Sequence, residues 1–202
     1  MKALWIFLMV FMTAAVAFAD KKNDSKFSPG PASSYSSKQT NDNVTIAVTA
    51  YDTEELAHTA FGKLNPNDYG VLPVLVIIQN DTDQALKFDH LEVDYTGTTG
   101  RHVEATPASD IEVLGGAPRP KMPTGAGPIP LPRKKYKNPL NTIEIDGRAF
   151  SVKILPPHDT ANGFFYFQTD HRPGAKFFLT GIKQAATGKD ITFFEIPLDY
   201  HR

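Results

Sequence analysis

Apolar and small or polar residues alternate through Val44-Thr45-Ile46-Ala47-Val48-Thr49-Ala50-Tyr51, the period of two expected of a half-buried strand. The period then changes. Asp52 stands three residues before Glu55, a capping-box spacing, and Leu56, Ala57, Ala60 and Phe61 follow at helical intervals up to Gly62. This predicts one short helix of about three turns at most. Its single apolar stripe is too small to support a helical layer, so it is expected to cover one open end of a sandwich.

In GVLPVLVIIQNDTDQALKFDHLEVDYTG the run Val74 to Ile78 is β-branched, Asn80-Asp81-Thr82-Asp83 is a turn cluster, and Leu91, Val93 and Tyr95 alternate with Glu92 and Asp94. The segment reads as a hairpin. A change of phase between Phe88 and Leu91 predicts a bulge or bend, and Pro73 belongs at a strand start or an edge. Shorter strands are expected at Val103 to Thr106 and Ile111 to Leu114. The chain then turns into GGAPRPKMPTGAGPIPLPRKKYKNP, an insertion over 115–139 whose prolines remove backbone donors and whose glycines add chain entropy. Apolar periodicity resumes at Ile143-Glu144-Ile145, turns at Asp146-Gly147, and continues through Phe150, Val152 and Ile154. Phe164 to Phe167, Lys176 to Ile182, the turn Thr187-Gly188-Lys189-Asp190 and Ile191 to Leu198 complete the pattern.

Short strands separated by turn signals predict an all-β fold. The expected architecture is an antiparallel immunoglobulin-like sandwich of about seven or eight strands with one short helix and the long Pro/Gly-rich insertion. Its core should draw on Val74, Val76, Ile78, Leu91, Val93, Phe165, Phe167, Leu179, Phe194 and Ile196.

Residues outside this pattern set the compartment. In MKALWIFLMVFMTAAVAFA, Lys2 supplies a positive start, Leu4 to Phe11 an apolar run, and Ala17-Phe18-Ala19 a small-x-small site. A signal peptide over 1–19, cleaved after Ala19, is expected, and with it a secreted or periplasmic protein. The following 20–43 is rich in Ser, Asn, Lys and Pro and reads as a disordered tether, which leaves 44–202 as the domain. With no cysteine, neither disulfides nor a lipidated cysteine is available, so core burial alone must hold the fold. The 21 basic residues balance 22 acidic ones, which removes a global electrostatic case for nucleic acid. No second apolar run has the length of a membrane anchor.

The combination YDTEELAHTAFGKLNPNDYGVLPVLVIIQNDTDQALKF, followed by ILPPHDTANGFFYF and a late hairpin, resembles uncharacterised exported bacterial proteins with an immunoglobulin-like domain. The resemblance covers most of Val44 to Leu198 and is built of strand and turn patterns. It implies the fold and no activity.

Candidate chemistry is sparse. His158 and His171 lie in loops flanking Phe164 to Phe167, where the two ends of a hairpin can approach, and form the metal candidates; His90 reads as a surface or edge residue. Asn80-Asp81-Thr82-Asp83 opens like a calcium loop but lacks the turning glycine and closing glutamate. No cysteine nucleophile, G-x-S-x-G elbow or H-E-x-x-H motif is present. Three loops, Asn65-Pro66 through Gly70, Gly125-Ala126-Gly127 and Arg172-Pro173-Gly174, resemble in order the binding loops of chagasin-like cysteine-protease inhibitors. Asn65, Pro66, Gly125, Gly127, Arg172 and Pro173 carry that match. Pro128, Gly174 and the order Tyr69-Gly70 depart from it.

The marked charge feature is Arg133-Lys134-Lys135-Tyr136-Lys137, with Arg119 and Lys121 upstream. In a Pro-rich loop these side chains suit contact with an acidic envelope protein or an anionic envelope polymer. The expected function is therefore a non-catalytic, cofactor-free binding domain acting through the insertion. A chagasin-like protease inhibitor and a metal-dependent hydrolase are the alternatives.

Overall fold

The computed structural model describes residues 27–114, 139–140 and 143–199. The signal segment and residues 115–138 of the insertion lie outside these. Eleven strands and three α-helices are described, besides two short 3-10 turns: β1 Lys38–Asn41, β2 Val44–Ala50, α1 Glu54–Phe61, β3 Leu72–Asn80, β4 Leu86–Lys87, β5 Glu92–Thr96, β6 His102–Glu104, α2 Ala108–Leu114, α3 Ile143–Arg148, β7 Ile154–Leu155, β8 Thr160–Phe167, β9 Lys176–Thr180, β10 Lys183–Gln184 and β11 Phe194–Pro197. The fold is mostly antiparallel sheet. One four-stranded sheet has the order β1-β2-β3-β8, a second β11-β9-β5-β6, and a small one β10-β4-β7.

The first difference from the sequence pattern lies at the beginning. Residues 27–43, assigned by composition to a tether, are built into the domain. Asp42 and Asn43 both take positive φ, 48° and 58°, the backbone of a two-residue hairpin turn that matches strand twist and favours Asn and Asp. It sets Lys38 opposite Ala47 and Asn41 opposite Val44. The Asp42 carboxylate then accepts from the Thr192 backbone N–H at 3.0 Å and its hydroxyl at 2.9 Å. These bonds hold the Asp42 carboxyl below its usual range. Asn41 donates to the Phe193 carbonyl and Gln39 accepts from the Glu195 N–H, so the edges of the two large sheets are tied together. A polar strand suffices here because the ladder and these side chains, rather than apolar burial, hold it.

The β-branched run of β3 is buried on both faces, with Gln79 alone half-buried. Val74, Val76 and Ile78 face a core shared with Val44, Ile46 and Val48 of β2, Phe167 of β8, and Val93, Tyr95, Phe177, Leu179, Phe194 and Ile196 of the second sheet. Leu75, Ile77, Phe164 and Tyr166 point the other way, into a second core with Phe61, Ile111, Leu140 and Ile145. Such a strand belongs in the middle of a sheet. Its partners are β2 and β8, with Val76 opposite both Val48 and Gly163. The hairpin expected between Val74–Ile78 and Leu91–Tyr95 is therefore not formed. β3 and β5 lie in opposite sheets, and the phase change at Phe88 to Leu91 marks the crossing between them. Pro73 sits at the start of its strand, as expected.

The second core explains the other departures. Ile111 to Leu114 and Ile143-Glu144-Ile145, read as strands, are the helices α2 and α3. Phe150 to Lys153 contributes no ladder, and only Ile154-Leu155 pairs, with β4. In short runs the apolar period cannot separate strand from helix. The outer face of the first sheet decides, since Ile111, Ile145 and Leu140 fill it together with α1, and the Tyr166 hydroxyl donates to the Ile145 carbonyl at 2.7 Å. The helices thus cover a sheet face rather than an open end. Phe27 joins this layer, packing on Tyr51 and Phe164 beneath the Arg148 guanidinium, 4.8 Å from its ring. No helix among the described residues is long and apolar enough to cross a membrane.

Candidate functional site

The two large sheets meet differently at their two sides. One side is closed by the β1 and β11 contacts above. On the other, the chain leaves β6 and steps across the gap: the Ala105 N–H donates to the Val93 carbonyl of the second sheet, and the Thr106 N–H to the Tyr166 carbonyl of the first, at 2.7 Å. Phe150 approaches the same edge from the opposite end and donates its N–H to the Phe164 carbonyl at 2.9 Å. Gly163 permits this approach, because a Cβ there would stand 2.5 Å from the Phe150 Cα. Between the two crossings a cleft of about 440 Å³ opens into the side of the sandwich.

Its apolar lining includes Leu91, Val93, Phe150 and Phe165. The Phe150 and Phe165 rings are stacked, 5.3 Å apart and 23° from parallel, and both are half-buried. Phe88 supports Phe150 edge-on, and Phe177 supports Phe165. Glu92, Asp94 and Glu104 also line the cleft, with no basic residue among its described lining. Asp94 and Glu104 are direct cross-strand partners, an arrangement of like charges that a sheet normally avoids. Pro107 and Ala108, at the start of α2, and Ala149 and Phe150, which follow α3, complete the wall.

A second polar site lies at the end of the sandwich where β2, β5 and β8 terminate. The His171 and Asp52 side chains are 1% and 6% exposed and approach to 4.0 Å. Tyr95 Oη accepts the Arg172 N–H at 3.0 Å and lies 3.3 Å from His171 Nδ1; His171 Nε2 lies 3.0 Å from the Asp199 carbonyl. The buried ring is thus held at both nitrogens, by the Tyr95 hydroxyl at Nδ1 and the Asp199 carbonyl at Nε2. Burial raises the Tyr95 phenol above its ordinary range. Asp52, expected to start α1, is drawn into this cluster. Thr53 caps the helix instead, accepting from the Leu56 N–H at 3.3 Å. A cleft of about 600 Å³ opens beside it, bordered by Gly70, Thr98, Arg101, Asp170 and Arg172.

Of the predicted site residues, Arg119, Lys121, Gly125, Gly127, Arg133, Lys134, Lys135 and Lys137 lie outside the described residues. His158 and His171 do not come together. They flank opposite ends of β8, a strand of roughly 26 Å, which pairs with β3 instead of folding back as a hairpin. His158 bonds Asp83 at 3.0 Å on the surface while His171 is enclosed. Among the described residues no group of three His, Asp or Glu gathers into a metal-ligating cluster. Asn65 and Pro66 are occupied locally: the Asn65 side chain accepts the Asn67 N–H to start a tight helical turn, and Pro66 is buried within it. Arg172 and Pro173 are exposed, and Gly70 and Arg172 share the end cleft.

The lateral cleft escaped the sequence pattern because its residues come from four separated segments. The available signal was Glu92 and Asp94 beside one strand and Glu104 beside the next, which a correct β5–β6 pairing would have placed together. No protein-family model matches the chain, and no curated protein matches it. Among solved structures the chain is similar to one described as the X-ray structure of Northeast Structural Genomics Consortium target SoR45. The identity is 14% and the TM-score 0.35, over 77% of this chain and 86% of that one. A likeness of that size carries nothing about fold or activity.

Proposed function

We propose that this chain is an exported, non-catalytic binding domain that recognises another protein of the cell envelope. The observation that carries this reading is the lateral cleft, because Pro107-Ala108 and Ala149-Phe150, which flank the segment holding α2, the insertion and α3, form its walls. A partly exposed aromatic pocket walled by connecting segments is the usual design of a recognition surface on a rigid scaffold. In the sequence of the insertion, Arg119, Lys121, Arg133, Lys134, Lys135 and Lys137 supply positive charge that suits an acidic partner. The scaffold is read as immunoglobulin-like: β2-β3-β8 against β11-β9-β5-β6 follows the strand order A-B-E against G-F-C-C′, with β1 added beyond the first strand. Export rests on the 1–19 signal segment, with the mature chain starting at Asp20.

Capture from an envelope fraction tests the reading with three forms: the wild-type mature chain, a form with 115–138 replaced by a short Gly/Ser connection, and Phe165→Ser in the cleft. One protein retained by the wild type and lost from both variants is expected. Equal retention by all three forms overturns it. A second reading, a protease inhibitor, is favoured by the shared cleft of Gly70 and Arg172 at the sandwich end. It requires that the mature chain inhibit a papain-like protease and that Arg172→Ala relieve the inhibition.

A further inference from the structure

Resting on the binding reading, we propose that a further cleft, beside Arg148, anchors a carboxylate carried by an extended segment of the partner protein. This cleft holds about 340 Å³ and is lined by Phe27, Arg148, Ser151 and Asn162, with small residues between them. Ala149 is common to it and to the lateral cleft, so the two adjoin across the strip that follows α3. Along β8, Phe165 and Phe167 face the core between the sheets while Phe164 and Tyr166 face the helical layer, and alternation places Asn162 on the helical side beside Phe164. Phe27 packs on Phe164, and the Arg148 guanidinium lies over the Phe27 ring. Phe150 packs toward the core between the sheets, and its neighbour Ser151 lines the Arg148 side.

Arg148 carries the inference. Its guanidinium is charged at every physiological pH, yet no ion pair among the described residues includes it, not even with Asp146 two positions earlier in α3. Its Nη1 is buried without a hydrogen-bond partner. The ring of Phe27 engages the face of the guanidinium and leaves the N–H groups in its plane unserved. Arg148 as a whole is half-buried, so a ligand in the cleft meets a cation that water solvates poorly. A carboxylate matches the planar fork of donors, and the Ser151 hydroxyl and Asn162 amide supply further donors in the same lining. The backbone beside it suits a strand. The Asn80 N–H donates to the Asp159 carbonyl, which turns the odd-numbered residues of β8 toward β3 and the even-numbered ones to the free edge. Phe150 and Thr106 take the carbonyls of Phe164 and Tyr166 on that edge, whereas the exposed Asn162 presents its N–H and carbonyl beyond them with no partner among the described residues. An extended segment pairing there brings its carboxylate to Arg148.

The test follows backbone amide NMR shifts of the mature full chain during titration with three acetylated tripeptides: trialanine with a free C-terminus, Ala-Asp-Ala amide, and trialanine amide. Saturable shifts at Phe27, Arg148, Ser151, Asn162 and their neighbours are expected from a carboxylate-bearing peptide and not from the uncharged one, and the peptide that binds tells a terminal carboxylate from a side chain. Arg148→Gln should weaken binding about tenfold or more, the loss of a charge-assisted hydrogen bond, with shifts elsewhere remaining those of the folded chain. Ser151→Ala changes an exposed residue and should weaken it about threefold, which keeps the test decisive if Arg148→Gln does not fold. Equal response to the uncharged peptide, shifts scattered over the surface, or wild-type affinity in a folded Arg148→Gln overturns the proposal. So does response to inorganic phosphate with neither carboxylate peptide binding, since the cleft then takes a free anion. Binding that appears only after Asp20→Asn with Asp24→Asn also overturns it, because the cleft then belongs to the chain's own acids. The binding reading is judged separately: if Phe165→Ser loses the envelope protein while neither carboxylate peptide binds, the partner surface stands and this anchor falls.

Discussion

Asn80 shows how one side chain can hold a chain crossing. It is fully buried, its Nδ2 donates to the Gln84 and Pro156 carbonyls at 2.8 Å each, and its Oδ1 accepts from the Thr82 N–H and hydroxyl. Asn80→Ala strands two carbonyls without their donor, so the denaturant midpoint should fall by the equivalent of about 1 to 3 kcal/mol. Asn80-Asp81-Thr82-Asp83 was legible as a turn, but the burial of its first residue was not, because the carbonyls it satisfies lie up to 76 positions away. Tyrosines give the fold a pH limit. Burial, with a contribution from Tyr35, pushes the Tyr51 phenol up to about 12, and burial raises Tyr166 further. Both are neutral in either state below about pH 10. Between about pH 10 and 12 the unfolded chain releases these protons and the folded chain keeps them, so stability is lost as pH rises through that window. Chemical denaturation at successive alkaline pH values should show this decline, and a stability independent of pH up to 12 would contradict the burial of both phenols.

At the scale of elements, β8 is the most informative strand. A period of two made Phe165 and Phe167 the inward pair, and Phe167 is indeed fully buried, but Phe164 and Tyr166 are buried at 1% each on the opposite face. Phe164→Ala and Phe167→Ala should each cost about 3 to 5 kcal/mol, measured by equilibrium unfolding, because each removes a ring from a different core. A single costly face would mean that the helical layer contributes little. Alternation can show which residues share a face; it cannot show that a second layer waits on the other side. The same blindness turned α2 and α3 into expected strands. β1 failed for the reverse reason, since a polar edge strand leaves no apolar signature, although Asp42-Asn43 ahead of Val44 carried the turn chemistry that marks a hairpin.

For the whole molecule, the decisive test is replacement of 115–138 by a short Gly/Ser connection. Folding stability should stay nearly unchanged, since loop-closure entropy varies slowly with length and α2 and α3 keep their buried Ile111 and Ile145. Collapse of the thermal transition would show that the insertion is packing. The sequence by itself determined the all-β class, most of the strands after Val44 and the inward residues of β3, β9 and β11, because β-branched runs and turn residues act locally. Tertiary structure alone decided which sheet each strand joined, that a helical layer covers the first sheet, that His158 and His171 part to opposite ends, and that Phe150 and Phe165 stack at the side of the sandwich. The physical reason is that pairing partners and burial on the far face depend on long-range contacts, and periodicity along a chain reports only the face nearest to it.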